Sequence, residues 1–322
     1  MPEWLIERGI GETRAALVDG GDFVEARIEL DGAVPAGSVI AARLVNAGAS
    51  GRNAIVVGEG GTEYLVPRGT PGITQGAALA IEVTREAIPG AEPWKRPLAK
   101  VSESAPTAAR SLADRLNGRE TVFPGPEDAL GKAGWDDLID AARSGTVTFA
   151  GGELRISPTP AMTLIDVDGT PAPDELAILG AAQAARAIRR LDIGGSIGID
   201  LPTARSKAAR HRAAEAVDAI LPPPFERTAV NGFGFIQIIR PRLRASLVEL
   251  AQDRAAFEAR ALLRRAAFEA PGSKRLAAHP SVIVALQDRT DWLESLAQQL
   301  GGAISLRADP ALPMSGGYAE PD

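Results

Sequence analysis

The 322-residue chain contains no cysteine. Disulfides, thiol nucleophiles and thiolate zinc sites are excluded together, and the absence fits a reducing cytoplasm. Histidine is nearly absent as well. His211 and His279 are the only two, and neither stands at a recognisable ligand spacing, so chemistry that needs a histidine pair is not expected. His211, in an arginine-rich segment, reads as solvated. His279, before Pro280 at a helix start, reads as a cap or surface residue. Long hydrophobic runs are missing too. No apolar stretch approaches the ~20 residues a bilayer-spanning helix needs, and the opening MPEWLIERGIGETRAAL lacks the apolar centre, about 7–15 residues long, of a signal peptide. The expectation is a cytoplasmic protein with no membrane contact.

Basic charge is not in excess. Lys plus Arg is 35 against 41 for Asp plus Glu, a net charge of −6. This argues mildly against a nucleic-acid binder, although local patches rather than the sum decide binding. Nearly all the cations are arginine, whose forked guanidinium suits phosphate better than lysine does. With 45% hydrophobic and 24% charged residues, the chain has the composition of an ordinary folded protein, and its length suggests two domains.

Residues 1–100 read as all-β. EARIEL, SVIAARLV, NAIVVGE, EYLVP and ALAIEVTREAI are short runs rich in Val, Ile and Leu, separated by glycine and proline, as in a small barrel or sandwich. Residues 101–150 read as a connector, with a helix in SESAPTAARSLADRL and an amphipathic one around Trp135, Leu138 and Ile139. A hairpin of 146–149 and 153–157 leads into residues 151 to about 310, where strands and helices alternate: a strand 162–167, a helix 173–191, a strand ending at Asp200, a helix 204–221, two strands around Gly232 and Gly234, two long helices (246–270 and 281–300) and a last strand. The order indicates a mixed α/β layer structure. Residues 311–322 read as a loose tail. VNGFGF is no dinucleotide loop, since no helix follows it. It reads as a strand kink with Phe233 and Phe235 in the core.

In TLIDVDG, Asp166 and Asp168 alternate along a strand and so share a face. Asp200 ends the next strand after a helical crossover, which usually returns the chain in parallel beside its partner. If these strands are neighbours, Asp166 and Asp200 both lie at carboxyl ends, where open α/β sheets bind ligands. Carboxylates brought this close favour a positive partner. With no histidine or thiolate nearby, the donors suit Mg2+, with Mn2+ as a substitute. A purely structural reading stands beside this one: Asp and Gly end strands generally, and Asp200 before Leu201 and Pro202 is placed to cap the following helix.

AMTLIDVDG, then AAQAARAIRRLDIGGSIGIDLP, then VNGFGFIQIIRPR resemble the catalytic core of the RNase E / RNase G endoribonucleases, with matches at Ile165–Asp168, Arg189–Gly195, Ile197–Asp200 and Phe233–Arg242. The stronger likeness covers about residues 155–245. It implies an α/β (mixed α+β) protein in which an N-terminal OB-type barrel precedes a DNase I-like/RNase H-like α/β catalytic domain. It also implies a Mg2+-dependent endoribonuclease acting on single-stranded RNA. Asp166 and Asp200 would hold the metal and Asp168, where the family usually has Asn, would orient the attacking water, leaving a 3′-hydroxyl and a 5′-phosphate. The family's zinc motif is excluded by the lack of cysteine, so no zinc-linked tetramer is expected, while a homodimer is allowed. No counterpart of the family's 5′-monophosphate sensor is found, and part of the RNase H-like subdomain is missing.

The barrel implied by the resemblance would stack bases on aromatics. Tyr64 occupies a plausible place, Ile55 stands where a phenylalanine is expected, and Lys95 and Trp94 lie in a segment that could join the same face. Tyr64 and Trp94 as half-buried barrel residues is the alternative. Arginines 186, 189, 190, 205, 210, 212, 240, 242 and 244, with Lys207, flank the acidic strands. Lys207, Arg210 and Arg242 are the candidates for phosphate contact, whereas Arg189 and Arg190 at a helix end are explained by the helix dipole. Two other functions stay open: a non-catalytic RNA-binding protein with a vestigial acidic site, and a Mg2+ phosphohydrolase acting on small molecules.

Overall fold

The computed structural model describes residues 2–48, 52–89 and 95–322. Strands β1 (Glu3–Arg8), β2 (Glu12–Asp19) and β3 (Asp22–Leu30) form an antiparallel meander. Next, β4 (Val39–Asn46), β5 (Ala54–Gly58), β6 (Glu63–Val66), β7 (Ala78–Arg85) and β8 (Leu98–Ser102) close a five-stranded barrel in the order β4-β5-β6-β8-β7. Small and branched residues fill it: Ala42, Leu44, Ala54, Val56, Val66, Ile81, Val83 and Ala99, together with the ring of Tyr64.

The connector holds α1 (Leu112–Leu116), β9 (Arg119–Thr121), α2 (Ala129–Lys132) and α3 (Trp135–Ser144). β9 pairs in parallel with β1, which extends the first sheet to four strands. The helix expected across 102–116 shrinks to α1, capped by Ser111. Pro106 disfavours helix in the residue before it, and Thr107 instead bridges to Val39 on β4.

Then β10 (Thr146–Phe149), β11 (Gly152–Pro158), β12 (Thr163–Gly169), α4 (Pro173–Arg190), β13 (Gly195–Asp200), α5 (Lys207–Ile220), β14 (Glu226–Arg227) and β15 (Phe235–Arg240) build a mixed sheet of order β10-β11-β12-β13-β15-β14. One face is apolar. Leu154, Ile156, Ile165, Val167, Ile197, Ile199, Ile236 and Ile238 join one core with α4 and α5. Alanine on the helices permits close approach: Ala177, Ala181, Ala184 and Ala185 on α4, Ala209, Ala213 and Ala214 on α5, all buried. At Gly180 a Cβ would stand 2.3 Å from Val167. The other face of the sheet exposes Arg155, Leu164, Asp166, Asp168, Asp200 and Ile239.

The last part comprises α6 (Leu247–Leu250), α7 (Arg254–Ala267), β16 (Lys274–Ala278), α8 (Pro280–Gln287), α9 (Thr290–Leu300), β17 (Ile304–Ala308) and β18 (Tyr318–Pro321). The helix expected over 246–270 is divided at Asp253, whose carboxylate accepts the Ala256 N–H and starts α7 afresh. The one expected over 281–300 is divided at Asp288 and Arg289. The tail expected to be loose instead carries β18, which pairs antiparallel with β16. Nothing local marks KRLAA as a strand. Its two flanking partners and the buried faces of Leu276, Ala277 and Ala278 define it. His279 caps α8, its Nδ1 accepting the Ser281 N–H at 3.2 Å. Among the described residues no helix is long and apolar enough to cross a membrane.

A buried ionic network ties the first sheet to α7. Arg14 bonds Glu7 (2.6 Å) and Glu12 (2.7 Å), Arg260 bonds Glu12 (2.8 Å), and Arg264 bonds Glu7 (3.0 Å) and Asp128 (2.5 Å). Burial alone would raise the pKa of Glu12, but Arg14 and Arg260 outweigh it and hold the carboxyl low. Removing one partner strands a charge in a dry site, whereas exposed pairs contribute little. Arg264→Met should therefore cost about 3–5 kcal/mol in chemical denaturation. Arg8→Met, which breaks the exposed Arg8–Glu120 pair, should cost less than about 1 kcal/mol.

Candidate functional site

The alternation of β12 decides which side chains reach solvent. Thr163, Ile165 and Val167 are buried, and Leu164, Asp166 and Asp168 are exposed. β13 lies beside β12 in parallel, and Asp166 stands in register with Asp200. Cross-strand neighbours in register point to the same face, and strands lie roughly 5 Å apart. The two carboxylates are thus side by side at the carboxyl edge of the sheet, as the crossover predicts. β13 ends at Asp200, while β12 continues to Gly169. Asp168 therefore overhangs the pair by one side-chain repeat, roughly 7 Å.

None of these three carboxylates accepts a hydrogen bond or forms an ion pair among the described residues. The nearest cation across the sheet is Arg155 on β11, opposite Asp166. Its Nε donates to Glu153 at 3.0 Å. That bond chiefly, with smaller contributions from Asp168 and Asp166, holds the guanidinium more firmly protonated than usual. Arg155 moderates the negative field without occupying the pair. Two unengaged, exposed carboxylates fit a cation that keeps most of its water, as Mg2+ does. Among the described residues no group of three or more His, Cys, Asp or Glu side chains is arranged to hold a metal.

The same edge carries the start of α5. Ser206 caps it by accepting the Ala209 N–H. Arg205 N–H donates to Asp174 Oδ1 at 2.6 Å, joining this loop to the first turn of α4. The Ser206 hydroxyl, then the neighbouring backbone N–H groups, keep the Asp174 carboxyl low. Lys207 is exposed, and Arg210 is half-buried with Nη1 on the Ala204 carbonyl at 3.0 Å. His211 is exposed beside Glu215.

Other expected contacts do not gather here. Arg242 follows β15, whose Arg240 pairs with Gly195 at the opposite end of β13 from Asp200. It is bonded to Glu249. Arg244 is bonded to Asp192, Arg189 to Glu25, and Arg190 to the Phe23 carbonyl. These arginines are engaged within the fold at the far end of the sheet: α4 runs away from the acidic edge and carries Arg189 and Arg190 there, and β15, antiparallel to β13, delivers Arg242 and Arg244 to the same end. Tyr64 is 2% exposed inside the barrel, where burial raises its pKa, so its ring offers no stacking face. Lys95 lines a cleft of 1070 Å³ between the barrel and the start of α7, with Arg96, Arg254 and Gln252. Trp94 lies outside the described residues.

Phe233, expected in the core, is 84% exposed. It sits on the turn between β14 and β15. Asn231 Oδ1 accepts the N–H groups of Phe233 (2.9 Å) and Phe235 (3.0 Å). Gly234, at φ +95°, accepts the Leu201 N–H through its carbonyl, and a Cβ there would fall 2.1 Å from the Leu201 oxygen. The Asn-Gly pair is a turn signal, which already marks the following aromatic as a tip residue. Phe235 is in register with Asp200 and lies over Gly198.

No protein-family model matches the chain, and comparison with curated proteins finds no match. Gly234→Ala should lower stability by about 1–2 kcal/mol or more, from the left-handed backbone and the contact with Leu201. Gly232→Ala, with open space around it, should change it by less than about 0.5 kcal/mol in the same denaturation experiment.

Proposed function

We propose that the protein is a metal-dependent endoribonuclease acting on single-stranded RNA, a shortened relative of the RNase E / RNase G family. The observation that carries this reading is the in-register Asp166–Asp200 pair, exposed and unengaged at the carboxyl edge of the sheet. The barrel supports it. Its third and fifth strands run parallel and its order is 1-2-3-5-4, in keeping with an OB-type barrel.

Asp166 and Asp200 would hold Mg2+, or Mn2+ in its place. A divalent ion there supplies positive charge at a phosphate and makes a water acidic enough to attack near neutral pH. Asp168, one step beyond the pair, would accept a hydrogen bond from that water and orient it in line with the scissile phosphorus. Lys207 and Arg210, on the same edge, would take neighbouring phosphates. Arg242, Lys95 and Tyr64 have no part in this arrangement.

A second reading, an RNA-binding protein that does not cleave, is favoured by Arg155, which already places a guanidinium across from Asp166. A short fluorescent RNA incubated with Mg2+, Mn2+ or EDTA separates the two. Cleavage should require metal, and Asp166→Asn or Asp200→Asn should slow it by about a hundredfold or more, the rate equivalent of several kcal/mol. RNA binding in EDTA should not change. Cleavage by Asp166→Asn at the unaltered rate would refute the assignment, and binding without any metal-dependent cleavage would favour the second reading.

A further inference from the structure

Phe233 is the most exposed large apolar side chain among the described residues. Turn tips ordinarily carry small or polar residues, because an aromatic ring left in water forgoes its burial. A mobile tip could fold such a ring down onto the protein. This turn cannot do so readily. Asn231 Oδ1 holds two of its N–H groups, and Gly234 N donates to the Asn231 carbonyl at 3.2 Å. Gly234 receives the Leu201 N–H at 3.2 Å, and Thr203 Oγ1 donates to the Phe233 carbonyl at 3.3 Å. The ring is therefore held out by bonds to the segment that directly follows Asp200.

Its place in the fold is also defined. Phe235, the first residue of β15, is the register partner of Asp200, so the turn that carries Phe233 lies at the same carboxyl edge as the acid pair. Exposed Lys207 opens α5, just after the loop that holds Thr203. An exposed π-face and a cation on one edge are the elements that bind a single-stranded polyanion with stackable bases. The barrel cannot supply that face through Tyr64, whose ring is enclosed.

We infer that Phe233 is a base-stacking residue, receiving a nucleobase of the strand that passes over the edge carrying Asp166 and Asp200. This inference rests on the reading of the site as one that acts on RNA. It makes the ring a positioning element: the stacked base fixes which phosphate lies over the carboxylates.

The test uses the full chain in EDTA and short single-stranded RNAs carrying 2-aminopurine at successive positions. One position should show quenching that Phe233→Ala removes and Phe233→Trp retains. Phe233→Ala should weaken binding about tenfold, the usual scale for one base–aromatic stack. An abasic nucleotide at the quenched position should weaken wild-type binding by the same factor and leave the variant's binding unchanged. Equal affinity and quenching in Phe233→Ala, or an abasic penalty of the same size in both proteins, would overturn the inference. If Asp166→Asn still abolishes cleavage in that case, the nuclease reading survives alone. Failure of the wild-type chain to bind any RNA would overturn both. Loss of self-association in Phe233→Ala, with RNA binding intact, would assign the ring to a contact between copies and overturn the stacking role.

Discussion

Two like charges side by side on neighbouring strands must be held there by something stronger than their repulsion. Two unit charges about 5 Å apart in water repel by roughly 1 kcal/mol. The parallel pairing of β12 with β13 is fixed from the other face of the sheet. Ile165, Ile197 and Ile199 are fully buried and Val167 nearly so, and each such side chain contributes about 1.5–3 kcal/mol. A slip of one residue would turn all of them outward. The core therefore dictates that Asp166 meets Asp200, and the water on the open face keeps the repulsion small.

The same sheet divides the cations into two populations. α4 begins at the acidic edge and ends at the far one, and β15 leaves that edge in the opposite sense to β13. Arg189, Arg190, Arg242 and Arg244 are thereby delivered to the far side, where Glu25, the Phe23 carbonyl, Glu249 and Asp192 engage them. Lys207 and Arg210 remain at the acidic edge because α5 starts where β13 stops. An acidic protein can in this way keep cations beside an acidic edge.

Much of this sheet was legible in the sequence, since its elements are periodic and well punctuated. The hairpin at Gly151 and Gly152, the alternation of TLIDVDG and the amphipathic α4 all follow from local pattern. The acid pair followed from one topological rule, that a helical crossover returns the chain in parallel. Other features had no local signal. Glu7 and Arg264 meet although they are 257 positions apart, and β16 is a strand because of its partners on both sides. Phe233 is the opposite case: the Asn-Gly turn signal was present, and the apolar character of the ring hid it. Tyr64 points into its barrel because register, not residue type, selects the inward face.

In the proposed site Asp166 and Asp200 share one divalent ion. Titration of Mn2+ into the wild-type chain, Asp166→Asn, Asp200→Asn and the double variant, followed by electron paramagnetic resonance, tests it directly. Either single substitution should abolish the site, with no further loss in the double variant, because both side chains serve the same ion. Mn2+ binding that survives each single substitution, or losses that add independently, would contradict it.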